Sequence, residues 1–192
     1  MPRPSRNIDA KLISLGKKKM LELGVANFSV RHLCMESGIN LGMFCYYFKT
    51  KENFIRIVLQ SLSDDLQVYW YRETAGIANP VEKLKKVLNV NVRLFREQRG
   101  AFQTLFKDLD LTNKVYVKLF NDIHRTWIDF YTGLIEECKK MSFLDKNIEN
   151  EKYAAIFFGS MLTYSRVCEV QDAKTFYEKS AEVIDLLVSR FQ

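Results

Sequence analysis

Between positions 25 and 54, the residue types and their spacing predict contacts with nucleic acid. Four side chains there are long or carry donors suited to phosphate oxygens, namely Arg31, Tyr46, Tyr47 and Lys51. Two apolar side chains, Leu41 and Met43, could instead contact bases, reading the shape of DNA and the methyl groups of thymine. Ser29 and Asn40 belong to the same predicted set of DNA-binding residues. The chemistry that this stretch predicts is therefore binding to double-stranded DNA.

Two short helices would position these side chains. Ser29 is a helix N-cap residue by type, and the helix that follows it should end at Gly38, the residue best suited to a left-handed turn. Asn40 can then cap a second helix from Leu41 to Phe48. Two helices joined by a tight turn with a glycine form a helix-turn-helix, which presents its second helix to the major groove.

The same stretch resembles the N-terminal DNA-binding domain of TetR-type transcriptional regulators over about residues 8–55. The matching residues are Gly24, Phe28-Ser29-Val30-Arg31, Leu33-Cys34, Ser37-Gly38-Ile39-Asn40, Gly42, Tyr47-Phe48 and Thr50-Lys51-Glu52. Cys45 departs from the pattern, because the family usually has a tyrosine there. The resemblance implies an all-α fold with a three-helix helix-turn-helix domain at 1–55 and a helical ligand-binding and dimerisation domain at 56–192.

Charge and composition agree with this interpretation. Residues 1–55 carry nine Lys and Arg against four Asp and Glu, and residues 56–192 carry twenty against nineteen, which together give the net charge of +6. A basic segment joined to a nearly neutral remainder is typical of DNA-binding proteins. A hydrophobic share of 47% argues against disorder, and only three prolines and eight glycines favour helices.

No motif of an enzyme, a cofactor site or a metal site occurs in the chain, so we expect no catalysis and no cofactor. The two histidines, His32 and His124, lie far apart in the sequence. No apolar run has the length of a membrane helix and none follows the N-terminal basic residues as in a secretion signal, so we expect a cytoplasmic protein. The four widely spaced cysteines should be reduced; for Cys45 a packing role is favoured, with a redox switch as the alternative.

Helical periodicity predicts further helices along the chain. The first should run from Ile8 to Leu23, with Gly16 allowing a close neighbour, and Thr50 should cap a long helix from Lys51 to Thr74. Asn79-Pro80 signals the next start. The remaining predicted helices cover about 80–99, 101–109, 112–141, 149–169 and 173–190, the last capped by Asp172.

The last two helices predict a dimer interface. Ala155, Gly159 and Thr163 recur every four residues and form a smooth stripe that another helix could approach closely. The final helix adds an apolar face that includes Ile184, Leu187 and Val188. Both faces could simply pack on the core of the chain. The resemblance implies more, because TetR-type regulators form homodimers through their last two helices, and a two-fold dimer suits a palindromic DNA operator.

Aromatic residues are abundant beyond residue 56, and most must serve packing. The resemblance nevertheless implies an inducer pocket among the helices, for which we select Trp70, Phe106, Phe120, His124, Trp127 and Tyr164. The expected function is a repressor that a small hydrophobic or aromatic molecule releases from its operator. The alternative is a DNA-binding adaptor whose C-terminal domain binds a protein partner and no small ligand.

Overall fold

The computed structural model describes residues 7–97, 105–106, 108–167 and 173–188. Within these residues all regular elements are helices. In chain order they are α1 (Ile8–Leu23), α2 (Val30–Ser37), α3 (Leu41–Phe48), α4 (Lys51–Thr74), α5 (Pro80–Glu97), α6 (Lys114–Lys140), α7 (Asn150–Val167) and α8 (Ala173–Val188). The predicted all-α fold with an N-terminal helix-turn-helix is confirmed. None of the described helices combines the length and apolar character needed to cross a membrane.

The predicted helix boundaries agree with the structure to within two residues wherever the chain is described. Ile8, Leu41 and Lys51 begin their helices as expected, whereas α6 begins at Lys114 rather than 112. The predicted helix at 101–109 and the cap at Asp172 fall largely or wholly outside the described residues. A functional boundary at residue 55 stays a prediction, and α4 continues through that position without a break.

Side-chain caps and a glycine define the two short helices. The Ser29 hydroxyl accepts a hydrogen bond from the backbone N–H of His32 at 3.4 Å, and the Asn40 amide oxygen accepts one from Met43 at 2.9 Å. Gly38 adopts the left-handed conformation, with φ 73° and ψ 24°. Thr50 caps α4 through a bond of 3.1 Å from the N–H of Asn53. All four predicted roles are confirmed, because each depends on residues close in sequence.

Two compact units are present, and the first comprises the described residues of 1–65 and 101–123. Its core is aromatic, and the ring of Phe54 lies at its centre. The ring centroid of Phe54 is 5.5 Å from that of Phe28, 5.2 Å from Phe44 and 4.7 Å from Phe48. These contacts pack α3 against α4 and so fix the orientation of the second helix of the helix-turn-helix.

Gly16 is the point of closest approach between α1 and α4. A Cβ atom at this position would lie 2.7 Å from Cζ of Phe54 and 3.0 Å from Cγ2 of Val58. Any larger side chain would therefore force the two helices apart. The prediction that Gly16 allows a neighbouring helix to approach closely is confirmed.

The second unit comprises the described residues of 66–100 and 124–192, in which α5 and α7 pack against α8. A polar group is buried in its core. The indole N–H of Trp70 donates to the amide oxygen of Asn91 at 3.0 Å, and the Asn91 amide donates to the hydroxyl of Tyr131 at 3.2 Å. Burial raises the pKa of Tyr131, which therefore stays neutral as an acceptor. Buried polar groups that satisfy one another in this way specify one arrangement of the surrounding helices.

Candidate nucleic-acid interface

The outward side of α3 exposes large apolar side chains that the core does not use. Phe44 and Phe48 are buried and anchor the helix, while Leu41 and Tyr46 are 50% and 65% exposed. Cys45 is also exposed on this side. We call Leu41, Cys45 and Tyr46 the recognition face. Exposed apolar surface of this kind commonly marks a binding site.

The predicted contact residues Met43 and Tyr47 are half-buried, so less of each is available to a partner. Burial raises the pKa of Tyr47, and the nearby Asp9 and Tyr46 raise it further. Its hydroxyl therefore remains a hydrogen-bond donor at neutral pH. Ser29 and Asn40 use their side-chain oxygens as helix caps. DNA contacts from all four residues stay predictions.

Cations of the first unit divide into paired and unpaired groups. Lys17 lies 2.5 Å from a carboxylate oxygen of Asp65, and Lys19 lies 2.8 Å from Glu36. The hydrogen bond to Glu36 raises the pKa of Lys19. In contrast, no carboxylate among the described residues pairs with the remaining cations near the helix-turn-helix, which are Arg31, Lys49 and Lys51. Their positive charge remains available to an external anion such as a phosphate.

Sequence reasoning did not select Lys49, which directly follows α3. Its φ of 65° is positive, a conformation that residues other than glycine rarely adopt. The ammonium group donates to the backbone oxygen of Tyr46 at 3.1 Å and lies 5.7 Å from the centre of the Tyr46 ring. Lys49 therefore places a positive charge beside the recognition face. Its position after the second helix was the available signal.

Lys51, at the start of α4, lies beside an aromatic ring. Its ammonium is 6.0 Å from the centre of the Phe28 ring, and its side chain is half-buried.

The cysteines differ in their burial. Cys34 is buried beneath the helix-turn-helix, and burial raises its pKa, with a further contribution from Cys45. Cys138 is buried too, which raises its pKa to about 12. Cys168 lies outside the described residues.

The six residues selected for an inducer pocket do not form one cluster within either unit. Phe106 and Phe120 belong to the first unit, and the other four belong to the second. Trp70 and Trp127 are 1% and 8% exposed, with ring centroids 6.1 Å apart. The two indoles are buried in the core, and their role in lining a ligand pocket stays a prediction; replacing Trp127 by alanine would cost about 3–5 kcal/mol of stability.

His124 and Tyr164 also differ in their settings. His124 is exposed, and its ring meets the edge of Phe158 with centroids 5.5 Å apart. Tyr164 is half-buried on α7. The second unit has a cleft lined by residues of α4, α5 and α8. His124, Tyr164 and the two indoles are not among the residues that line it. A ligand role for any of these residues stays a prediction.

The residues selected for dimerisation fall into two groups. Ala155 and Thr163 are exposed on α7, and a Cβ atom added at the half-buried Gly159 would meet nothing within 4 Å. The same side exposes Ile156 and Leu162, so we define the α7 face as Ala155, Ile156, Gly159, Leu162 and Thr163. On α8 the situation differs, because Ile184 and Val188 are 0% and 7% exposed and Leu187 is half-buried. Ile184 and Val188 pack inside the chain itself, and a role for them in the dimer interface stays a prediction.

Comparison with known proteins gives a fold and no closer relationship. No family model and no curated sequence matches the chain. Among solved structures, a putative TetR-family regulator from Rhodococcus sp. superimposes with a TM-score of 0.80 at 12% identity, covering 94% of this chain and 97% of its own. The fatty acid degradation regulator FadR from Bacillus halodurans gives 0.78 at 16% identity, covering 95% and 99%. A TetR-family regulator from Agrobacterium tumefaciens gives 0.76 at 13% identity, covering 94% and 97%. The chain therefore has, over nearly its whole length, the fold of the TetR/AcrR transcriptional regulators, as its N-terminal motifs indicated.

Proposed function

We propose that this protein is a DNA-binding transcriptional regulator that reads its operator with α3. The recognition face carries this proposal. It exposes Leu41 and Tyr46 on a helix anchored by a buried aromatic core, and beside it lies the charge of Lys49, which pairs with no carboxylate in the described part of the chain. Apolar side chains can contact thymine methyl groups, and cations supply the attraction to phosphate that underlies binding to any DNA sequence.

The regulator acts as a homodimer in this proposal. A single α3 of eight residues makes few base contacts, and a second copy doubles them on a palindromic site. The α7 face supports this arrangement, because it combines exposed Ile156 and Leu162 with the open space at Gly159. Small residues between larger apolar ones let two helices approach closely and bury apolar surface.

Repression that is relieved by a small hydrophobic or aromatic ligand completes the proposal. Support comes from a cleft of about 800 Å³ in the second unit, a volume within the usual range for ligand sites. A ligand lowers DNA affinity only if it binds the conformation that is unsuited to DNA more tightly. The adaptor alternative, in which the second unit binds a protein, is distinguished by a thermal-shift screen that finds no stabilising small molecule.

Selection of bound DNA from a random duplex library tests the DNA-binding proposal directly. The full chain should enrich an inverted repeat whose half-sites are centred about 10 base pairs apart or a multiple of that distance. A Leu41→Glu variant, selected in parallel, should lose this enrichment, because its carboxylate would face the negatively charged DNA. A wild-type chain that enriches no sequence and binds random duplex no better than the variant would contradict the proposal.

A further inference from the structure

The cleft of the second unit lies between α5 and the beginning of α8, with the end of α4 at its margin. It has a volume of about 800 Å³. Val90 and Val92 on α5 form part of its lining and are only 2% and 9% exposed. Tyr177 on α8 also lines the cleft and is half-buried. The two valines therefore close the floor of the cleft, and the half-buried Tyr177 is the apolar side chain there that the body of an organic molecule could contact.

Charged side chains surround this floor. Four cations and two carboxylates line the cleft, giving a net charge of +2; they are Lys86, Arg93, Arg96, Lys174, Glu73 and Glu97. Arg96 is exposed and makes no ion pair within the described part of the chain. Among the residues that the structure describes, Lys174 pairs with Glu178, one turn along α8 at 3.6 Å, and the Lys174 side chain is 80% exposed. The cleft thus carries more positive charge than its own carboxylates neutralise.

One carboxylate, that of Glu73, lies beside two of these cations. Its oxygen lies 3.1 Å from the ammonium of Lys86 and 3.9 Å from the guanidinium of Arg93. The hydrogen bond from Lys86, followed by the charges of Lys86, Arg93 and Arg72, lowers the pKa of Glu73. The two cations therefore stabilise a carboxylate at this point, and the Glu73 side chain is 20% exposed, so solvent can reach it.

The ring of Tyr69 orients two arginines near Glu73, Arg93 and Arg72. The guanidinium of Arg93 lies 5.2 Å from the centre of the Tyr69 ring and also donates to the Tyr69 hydroxyl. The guanidinium of Arg72 lies 4.6 Å from the centre of the same ring. Contacts between guanidinium groups and an aromatic ring limit the rotamers of the arginine. Arg93 is therefore held in place before any ligand arrives, which lowers the entropic cost of binding.

We propose that this cleft binds an organic anion with an apolar body, and that the negative group of the ligand replaces Glu73 on Lys86 and Arg93. Carboxylate, sulfonate and phosphate groups share the required chemistry. The apolar part would lie against Tyr177 above the floor formed by Val90 and Val92, and Arg96 and Lys174 would add attraction from the rim. Displacement of Glu73 would loosen the last turn of α4 from α5.

This ligand could act as the effector, because Glu73 belongs to the same helix, α4, as the predicted DNA-contact residue Lys51. The effector role rests on the proposed function. Binding to the cleft does not rest on it. The two are therefore measured separately, the first by calorimetry on the full chain without DNA and the second by operator affinity with and without the probe.

Three probes with one apolar body and different charges test the cleft. They are 2-naphthoate, 2-naphthalenemethanol and 2-naphthylmethylammonium, titrated into the full chain by isothermal calorimetry. Naphthoate should bind at least about tenfold more tightly than the neutral alcohol, since a hydrogen bond between charged groups contributes that order of affinity. The ammonium probe should bind most weakly, and added salt should weaken only the binding of naphthoate. Equal binding of naphthoate and the alcohol, or no detectable binding of naphthoate, would overturn the proposal.

Variants with matched charge changes locate the site. An Arg96→Gln/Lys174→Gln variant should weaken naphthoate binding about tenfold. A Lys152→Gln/Lys179→Gln variant loses the same charge from exposed lysines outside the cleft and should change the affinity less than about twofold. A Glu73→Gln variant, which removes the internal competitor, should strengthen binding. Equal losses in the two double variants, or weaker binding by Glu73→Gln in a chain of unchanged helicity, would contradict the site. Naphthoate that binds as expected but leaves operator affinity unchanged would remove only the effector role.

Discussion

The recognition face on α3 and the α7 face both expose large apolar side chains, but their electrostatic surroundings are opposite. On α3, the ammonium of Lys49 bonds the backbone of Tyr46, and no carboxylate among the described residues neutralises it. On α7, residues 155–163 include no charged side chain at all. Both helices therefore expose apolar side chains, but only the surface of α3 has a positive charge beside them.

This difference supports the partner proposed for each surface. A cation next to apolar groups suits a polyanion that also carries methyl groups, which describes the major groove of DNA. An uncharged stripe with a central glycine suits a second copy of the same helix, because no charge has to be desolvated when the two meet. Each surface should thus respond to a substitution that spares the other.

The largest effect is expected from Gly159→Leu. An added Cβ at Gly159 meets nothing within 4 Å in the isolated chain, so the fold should tolerate the change. In a two-fold interface the new side chain would clash twice, at about 1–3 kcal/mol for each overpacked site. Sedimentation should show monomers with normal helical content, and operator binding should be lost.

Gly133→Leu is the matched control for this prediction. Gly133 is an exposed glycine on α6, and a Cβ atom added there would likewise meet nothing within 4 Å. This variant should remain dimeric and bind operator normally. If Gly159→Leu also remains dimeric, the α7 face is not the contact between two copies.

A smaller effect, confined to DNA, is expected from Leu41→Glu. The new carboxylate would face phosphates and should weaken operator binding at least about tenfold, or about 1.4 kcal/mol. The dimer should persist in sedimentation. Val68→Glu adds the same charge at a side chain that is 66% exposed on α4 and should leave operator affinity unchanged. Equal losses in both variants would mean that net charge alone, and not the recognition face, determines binding.

Lys51→Ala should weaken binding more modestly and to all DNA sequences alike. Loss of one phosphate contact should flatten the plot of log affinity against log salt by about one unit. Lys17→Ala removes the same charge, but Lys17 is already paired with Asp65 at 2.5 Å, so its slope should match that of the wild type. Fluorescence anisotropy at several salt concentrations measures both. A slope that falls equally in the two variants would remove Lys51 from the contact residues.

The smallest effect is expected from Cys45→Ser, although this residue lies on the recognition face. A serine is close in size to cysteine, and the thiol has no assigned contact role, so operator affinity and its response to mild peroxide should match those of the wild type. Loss of binding on oxidation in the wild type, but not in the variant, would show that Cys45 is a redox switch instead.

The sequence predicted the features that depend on neighbours within a few residues. Ser29, Gly38, Asn40 and Thr50 act over three or four positions, and each was assigned correctly. Features that depend on distant residues were not accessible in this way. Whether Trp70 lines a cavity or fills the core depends on Asn91 and Tyr131, which lie on other helices.

Ion pairs between residues distant in the sequence could not be predicted either. Nothing local shows that Lys17 is neutralised by a residue 48 positions away whereas Lys49 is not. The cleft was missed for a related reason, because its lining combines the ends of α4 and α5 with the start of α8. The number of cations in the first fifty-five residues was known from the sequence, but the fraction available to DNA was not.

The position of Phe54 restricts how the helix-turn-helix can change shape. This ring leaves no room for a Cβ atom at Gly16, stacks on the ring of Phe28 and packs edge-on against the rings of Phe44 and Phe48. Because packed interiors are nearly incompressible, α1, α3 and the start of α4 must translate and rotate as a single solid. In the proposed dimer, a ligand signal passing along α4 would therefore leave the curvature and side-chain pattern of α3 intact. It would change the distance between the two copies of α3, so the proposed control of DNA affinity would act through their spacing and not through their internal structure.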